Sequence, residues 1–138
     1  MTGTKRKYFG ALALLVVFGL VMAAGCAQTG AQVISPQEAT ALIQENGNNP
    51  DFIIIDVRTP QEYNDGHIVG SVNIDFYAAD FRDRISALDR SKTYLIYCQS
   101  GNRSGQSRGM MVELGFEKIY DIGGGIVAWR AAGLPTVK

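Results

Sequence analysis

The chain reads as an α/β domain, with a central parallel sheet flanked by helices on both faces. Three observations predict it. Short β-prone runs alternate with helix-compatible segments from about residue 35 to the end, the pattern of parallel strands joined by helical crossovers. One run, Phe52-Ile-Ile-Ile-Asp56-Val57, is continuously apolar, as expected of a strand covered on both sides. Two helix starts share one design, a Ser or Thr N-cap, proline at the first helical position and glutamate at the third.

The elements follow in order. Ser35-Pro36-Gln37-Glu38 opens a helix with Ala39, Leu42 and Ile43 at helical spacing, and Asn46-Gly47 stops it. The strand over 52–57 ends in Asp56-Val57-Arg58. Thr59-Pro60-Gln61-Glu62 repeats the capping box and starts a short helix ending by Asp65-Gly66, so Glu62 is read as a cap. A short strand over 70–74 precedes a helical pattern from Asp75 to Leu88, with Phe81, Ile85 and Leu88 on one face. Thr93 to Tyr97 is the strand that delivers Cys98. A helix from Gly105 to Leu114 closes at Gly115. Lys118 to Ile122 is a further strand, Gly123-Gly124-Gly125 breaks the chain, and 126–132 forms a last helix before Gly133-Leu134-Pro135.

The chemistry concentrates at Cys98-Gln99-Ser100-Gly101-Asn102-Arg103-Ser104. A strand that feeds a tight polar loop and then a helix leaves backbone N–H groups unpaired at the positive end of a helix dipole. That is an anion site, and it favours the thiolate, the reactive form of a cysteine. The bland alternative, a small buried hydrophobe at a strand end, leaves the loop unexplained. In an open parallel sheet the functional crevice lies at the strands' carboxyl ends. Cys98 and the Asp56-Val57-Arg58 turn are therefore expected at one edge. His67, the single histidine, is read as a packed residue bonded to nearby backbone, Asp56 as a tie between loops, and Trp129 as core.

All 138 residues cannot belong to the domain. Lys5-Arg6-Lys7 precedes an uncharged apolar run from Tyr8 to Gly25, the layout of a secretory signal. Ala23-Ala24-Gly25-Cys26 resembles the lipobox of bacterial lipoproteins, in which the cysteine is acylated and becomes the new N-terminus. An uncleaved signal-anchor or ordinary secretion are the alternatives. The expected division is a signal over 1–25, a lipidated tether over 26–34 and the domain over 35–138. The expected address is extracytoplasmic, on the cell membrane or, with no aspartate after Cys26, the outer membrane. Three of the thirteen Lys and Arg lie in the leader, leaving ten against thirteen acids. That mildly acidic balance argues against nucleic acid or anionic lipid as the main partner. The chain has two cysteines; with Cys26 lipidated, Cys98 has no internal disulfide partner. One histidine and one available cysteine are too few for a metal site, and no cofactor is expected.

These residues resemble a known family. Asp56-Val57-Arg58 through Gly66-His67-Ile68 to Asn73-Ile74 is similar to the first signature of rhodanese domains, Cys98 to Ser104 to their active-site loop, and Gly124-Gly125 with Trp129 and Gly133-Leu134-Pro135 to their C-terminal pattern. The likeness covers roughly 35–135. It implies a single rhodanese domain in which the Cys98 thiolate takes the outer sulfur of thiosulfate, releases sulfite and holds a persulfide for a thiophilic acceptor. On this reading residues 99 to 104 form the binding loop. Arg103 either orients the anion or braces the loop. Arg58 is a structural ion-pair partner or lends the pocket positive charge. The partners are a small sulfur donor and acceptor, and nothing demands more than a monomer. Four residues separate Cys98 from Arg103, against five in the cysteine phosphatases, which favours sulfur over phosphate. A persulfide carrier without turnover, and a phosphatase or arsenate reductase, are the competing classes.

Overall fold

The computed structural model describes residues 30–138. The leader, Cys26 and its lipidation therefore lie outside the described residues. Within them the chain runs β1 (Gly30–Ile34), α1 (Pro36–Asn46), β2 (Phe52–Asp56), α2 (Pro60–Asn64), β3 (Ser71–Asn73), α3 (Phe81–Ser86), β4 (Thr93–Tyr97), α4 (Asn102–Glu113), β5 (Lys118–Ile122) and α5 (Gly125–Ala131). The five strands make one sheet in the order β1-β5-β4-β2-β3, and every pair is parallel.

Side-chain alternation along the strands divides the core in two. Ile55, Val57, Tyr94, Ile96, Cys98 and Ile119 join Phe81 and Ile85 of α3 and Met111 of α4 on one face. Ile54, Leu95, Tyr97 and Ile122 join Ala39 of α1 and Ile126 and Trp129 of α5 on the other. Burial of both faces is what the continuous apolar run of β2 requires. The expected layers of helix, sheet and helix are present.

Both capping boxes form. The Ser35 and Thr59 side chains accept the N–H of Glu38 and Glu62, and each glutamate bonds back to its cap. Three boundaries differ from expectation. Residues 30–34, read as the end of the tether, form an edge strand: Gly30 to Ile34 pair with Lys118 to Ile122 of β5, so the folded unit begins at or before Gly30. The helix expected from Asp75 is confined to Phe81–Ser86. Before it the Asp75 carboxylate accepts the Tyr77 N–H at 2.9 Å and the Asp75 carbonyl accepts from Ala78, local bonds that compete with a helix. Finally, α4 starts at Asn102 rather than Gly105, because Gly101, at φ +103°, turns the chain into the helix at once.

The sheet order places the site. After β2 the chain steps outward to β3; it then returns to the far side of β2 as β4 and continues away from it to β5. Neighbouring strands whose connections leave in opposite directions open a crevice at their carboxyl ends. Here those strands are β2 and β4, which lead directly into Arg58 and Cys98.

Candidate active site

Cys98 follows the last residue of β4 and is 1% exposed. It is a free thiol. The loop between β4 and α4 is only four residues long, and it folds back on the sulfur. Gly101 N–H donates to Sγ at 3.1 Å, and Ser104 Oγ lies 3.4 Å from it. No side chain caps α4. The first-turn N–H groups of a helix have no carbonyl four residues back to bond, so those of Asn102, Arg103 and Ser104 form the positive end of α4, in the turn that directly follows Gly101. Residues 99 to 104 were expected as one loop; the last three supply their N–H groups as the first turn of α4. The arrangement suits an anionic sulfur and a small anion approaching it.

A second element fixes the loop from behind. The N–H groups of Ile126 and Val127 in α5 donate to the carbonyls of Cys98 and Gln99 at 2.9 and 3.1 Å. This contact needs Gly125, at φ +61°, because a Cβ there would lie 2.5 Å from the Cys98 carbonyl oxygen. In the sequence Gly123-Gly124-Gly125 reads as a chain break and part of the family pattern. Its task of seating the cysteine loop has no local signature.

Arg103 is paired with a carboxylate. Its Nη1 and Nη2 donate to Glu62 Oε2 and Oε1, each at 2.8 Å, and its guanidinium lies over the Tyr77 ring, 5.4 Å from the centroid. These bonds brace α4 against α2, the second of the two expected roles. Glu62 therefore does more than cap its helix. The two Arg103 hydrogen bonds foremost, with those from Thr59, hold its carboxyl at about 2, while Arg103 is raised by the same pair.

Arg58 lines no part of this loop. It is 2% exposed, with Nε and Nη2 donating to the Asp56 carboxylate and Nη2 also to the Gly66 carbonyl. Its guanidinium is balanced by the Asp56 carboxylate, the ion-pair role expected of it. Asp56 ties the neighbouring loops as expected, its carbonyl and that of Arg58 both accepting from Asn73 Nδ2. His67 bonds the Tyr63 carbonyl through Nδ1 at 2.9 Å and stacks on the Tyr63 ring. Trp129 is buried and donates to the Pro135 carbonyl.

Of the remaining loop residues, Gln99 is half-buried, Ser100 is exposed, and Asn102 accepts from Gln106 along the helix surface. The loop thus offers backbone and hydroxyl donors at its base and a solvent-facing rim. Among the described residues there is no cluster of three His, Cys, Asp or Glu able to hold a metal ion.

Asp121 was not singled out in the sequence. It is buried on the α4 face beside Ser104 and Arg108. An acid inside a β-prone run, Lys118-Ile-Tyr-Asp-Ile122, was the available signal.

Comparison with known proteins points the same way. The family described as Rhodanese-like domain matches residues 35–132. A thiosulfate sulfurtransferase, GlpE, of Pseudomonas entomophila is 36% identical over 99 residues, covering 71% of this chain and 84% of its own. A sulfurtransferase of Allochromatium vinosum is 29% identical over 105 residues, 76% of this chain and 96% of that one. Among solved structures, a rhodanese-related protein from Thermoplasma volcanium superposes with a TM-score of 0.63 at 33% identity, over 77% of this chain and 97% of that one.

Proposed function

The chain belongs to the rhodanese-like family, and from that premise we propose that it is a sulfurtransferase that carries sulfur as a persulfide on Cys98. The observation that supports this most directly is the placement of Sγ, bonded by Gly101 N–H at the uncapped N-terminus of α4.

The proposed reaction has two steps. The Cys98 thiolate attacks the outer sulfur of thiosulfate; a new S–S bond forms, the old one breaks, and its electron pair leaves on sulfite. The persulfide anion then loses its outer sulfur to a thiophile, cyanide or a thiolate, and the Cys98 thiolate is the leaving group. Dividing the transfer in two is the advantage of a covalent intermediate. The Gly101 N–H already on the sulfur, with the N-terminus of α4 beside it in the chain, stabilises charge with little reorganisation. Because Glu62 occupies Arg103, the anion is held by the N–H groups and the helix dipole, with Arg103 holding their geometry.

The proposal includes an address: lipid on Cys26 anchors the domain outside the cytoplasmic membrane. The charged-then-apolar leader and the Ala23-Ala24-Gly25-Cys26 sequence support it. The domain acts as a monomer on this reading.

The purified chain with thiosulfate and cyanide should form thiocyanate, and Cys98→Ala should abolish it. Sulfur uptake without thiocyanate would convert the proposal to a carrier. Hydrolysis of an aryl phosphate without sulfur uptake would overturn it.

A further inference from the structure

The five strands all run the same way, which gives the sheet two unlike edges. The strands begin at an amino-terminal edge and end at a carboxyl-terminal one, where β4 delivers Cys98. The described chain enters at Gly30, the first residue of β1, whose N–H donates to the carbonyl of Glu117 just ahead of β5. Three residues separate Cys26 from Gly30, and such a stretch spans at most about 15 Å in any conformation. An anchor at Cys26, whether lipid or the end of an uncleaved apolar run, therefore keeps the amino-terminal edge beside the bilayer.

Apolar surface opens on the same edge. A cavity of about 330 Å³ is lined by Gly47 and Gly70 and by the apolar Ile43, Phe52, Ile54 and Val69. Phe52 is the first residue of β2 and Gly70 directly precedes β3, so the cavity lies where those strands begin. Val69 is 58% exposed. Exposed apolar surface beside an apolar cavity marks contact with another apolar body. In the sheet order β2 stands three strand spacings from β1, about 14 Å away, so anchor and cavity share one edge at short range. The charges of this edge are mixed, with Lys92 Nζ 3.6 Å from Asp51 Oδ1. Apolar contact, and not attraction to anionic headgroups, is what the edge offers.

We propose that the amino-terminal edge of the sheet rests on the bilayer, with Val69 and the cavity beside it against lipid and the Cys98 loop facing the water. The anchor supplies nearness. The cavity selects which part of the edge turns to the lipid, the part between α1 and the connection into β3. Taking Val69 and the cavity's apolar walls out of water supplies the free energy that orients the tethered domain. The five residues of β4 separate this edge from Cys98 by about 16 Å. The substrate class follows from that separation. Sulfur donor and acceptor reach Cys98 from the aqueous phase, and a sulfur carrier dissolved in the membrane does not.

The inference rests on the membrane address proposed above, and its test reads a separate quantity. The full chain, made in a host that acylates lipoproteins, is placed in phosphatidylcholine vesicles that carry a nitroxide on the headgroup. In a Cys98→Ala background, Val69→Cys, Glu117→Cys and Val127→Cys each receive a fluorophore; an acylated Cys26 has no thiol to label. Val69 and Glu117 lie on the amino-terminal edge. Val127 is 51% exposed and lies on the other, its N–H on the Gln99 carbonyl. All three side chains are exposed, so each variant should keep the thermal midpoint of its background. Quenching at positions 69 and 117 should exceed that at 127 at least threefold. Equal quenching at all three, or quenching at 117 alone, overturns the proposal. Flotation with the vesicles, measured on the same samples, separates the two readings. A chain that floats with equal quenching sinks the orientation alone, and a chain that does not float sinks the address and the orientation with it.

Discussion

Two oxygens of Glu62 serve two elements at once. Oε2 accepts from the Thr59 N–H, the Thr59 hydroxyl and Arg103, and Oε1 accepts from Arg103 again. The carboxyl is held at about 2 against an ordinary 4.5, so the folded state prefers it charged. Its contribution to stability is fully present above about pH 4.5 and is lost as pH falls through about 2. Chemical denaturation of Glu62→Gln beside the unaltered chain should show the stability gap narrowing over that window; a gap constant with pH would count against the ion pair. Arg58 and Asp56 are a different case, because both are buried and each is the other's principal partner. Arg58→Ala leaves an unpaired buried carboxylate and should cost about 3 to 5 kcal/mol, read as a lower denaturant midpoint. Were Arg58 a pocket residue instead, sulfur transfer would fall while stability stayed.

At the scale of the element, the Cys98 loop depends on α5 as much as on its own helix. Gly125→Ala would thrust a Cβ against the Cys98 and Gln99 backbone and put a side chain at positive φ. It should cost at least about 2 kcal/mol and slow sulfur loading of whatever remains folded. Gly109→Ala, inside α4 with nothing within 4 Å of the added Cβ, serves as the control: it should leave sulfur loading unchanged and raise stability by about 0.5 to 1 kcal/mol. What the sequence made legible at this scale was local. The two capping boxes announced themselves because every atom that makes them lies within four residues, and the β4 strand was plain from its apolar run into Cys98. β1 was not legible, since Gly30-Ala-Gln-Val-Ile offers neither a long apolar run nor clean alternation of character, and its reason to be a strand is the backbone of β5. The true start of α4 depended on the positive φ of Gly101, which a sequence permits but does not demand.

For the whole molecule, topology does what no motif does. It sets the ends of β2 and β4 side by side at the point where the sheet's connections diverge, which is why Asp56, Arg58 and Cys98 share one edge as expected. The contact that braces the site, however, crosses a long separation, Glu62 to Arg103 over 41 residues. Spacing carries no trace of such a pair, so the Cys98 loop is readable in the sequence while its brace is not. The address also belongs to this scale. Cys26→Ser should release the chain from membranes if the cysteine bears lipid, as fractionation would show; retention would favour an uncleaved anchor.

The central claim is that Cys98 accepts and holds sulfur. The most direct measurement is the mass of the Cys98 peptide after the purified chain meets thiosulfate with no acceptor present. The account predicts a gain of one sulfur atom on that peptide, removed by cyanide and absent in Cys98→Ala. An unchanged Cys98 peptide from a folded chain would contradict it.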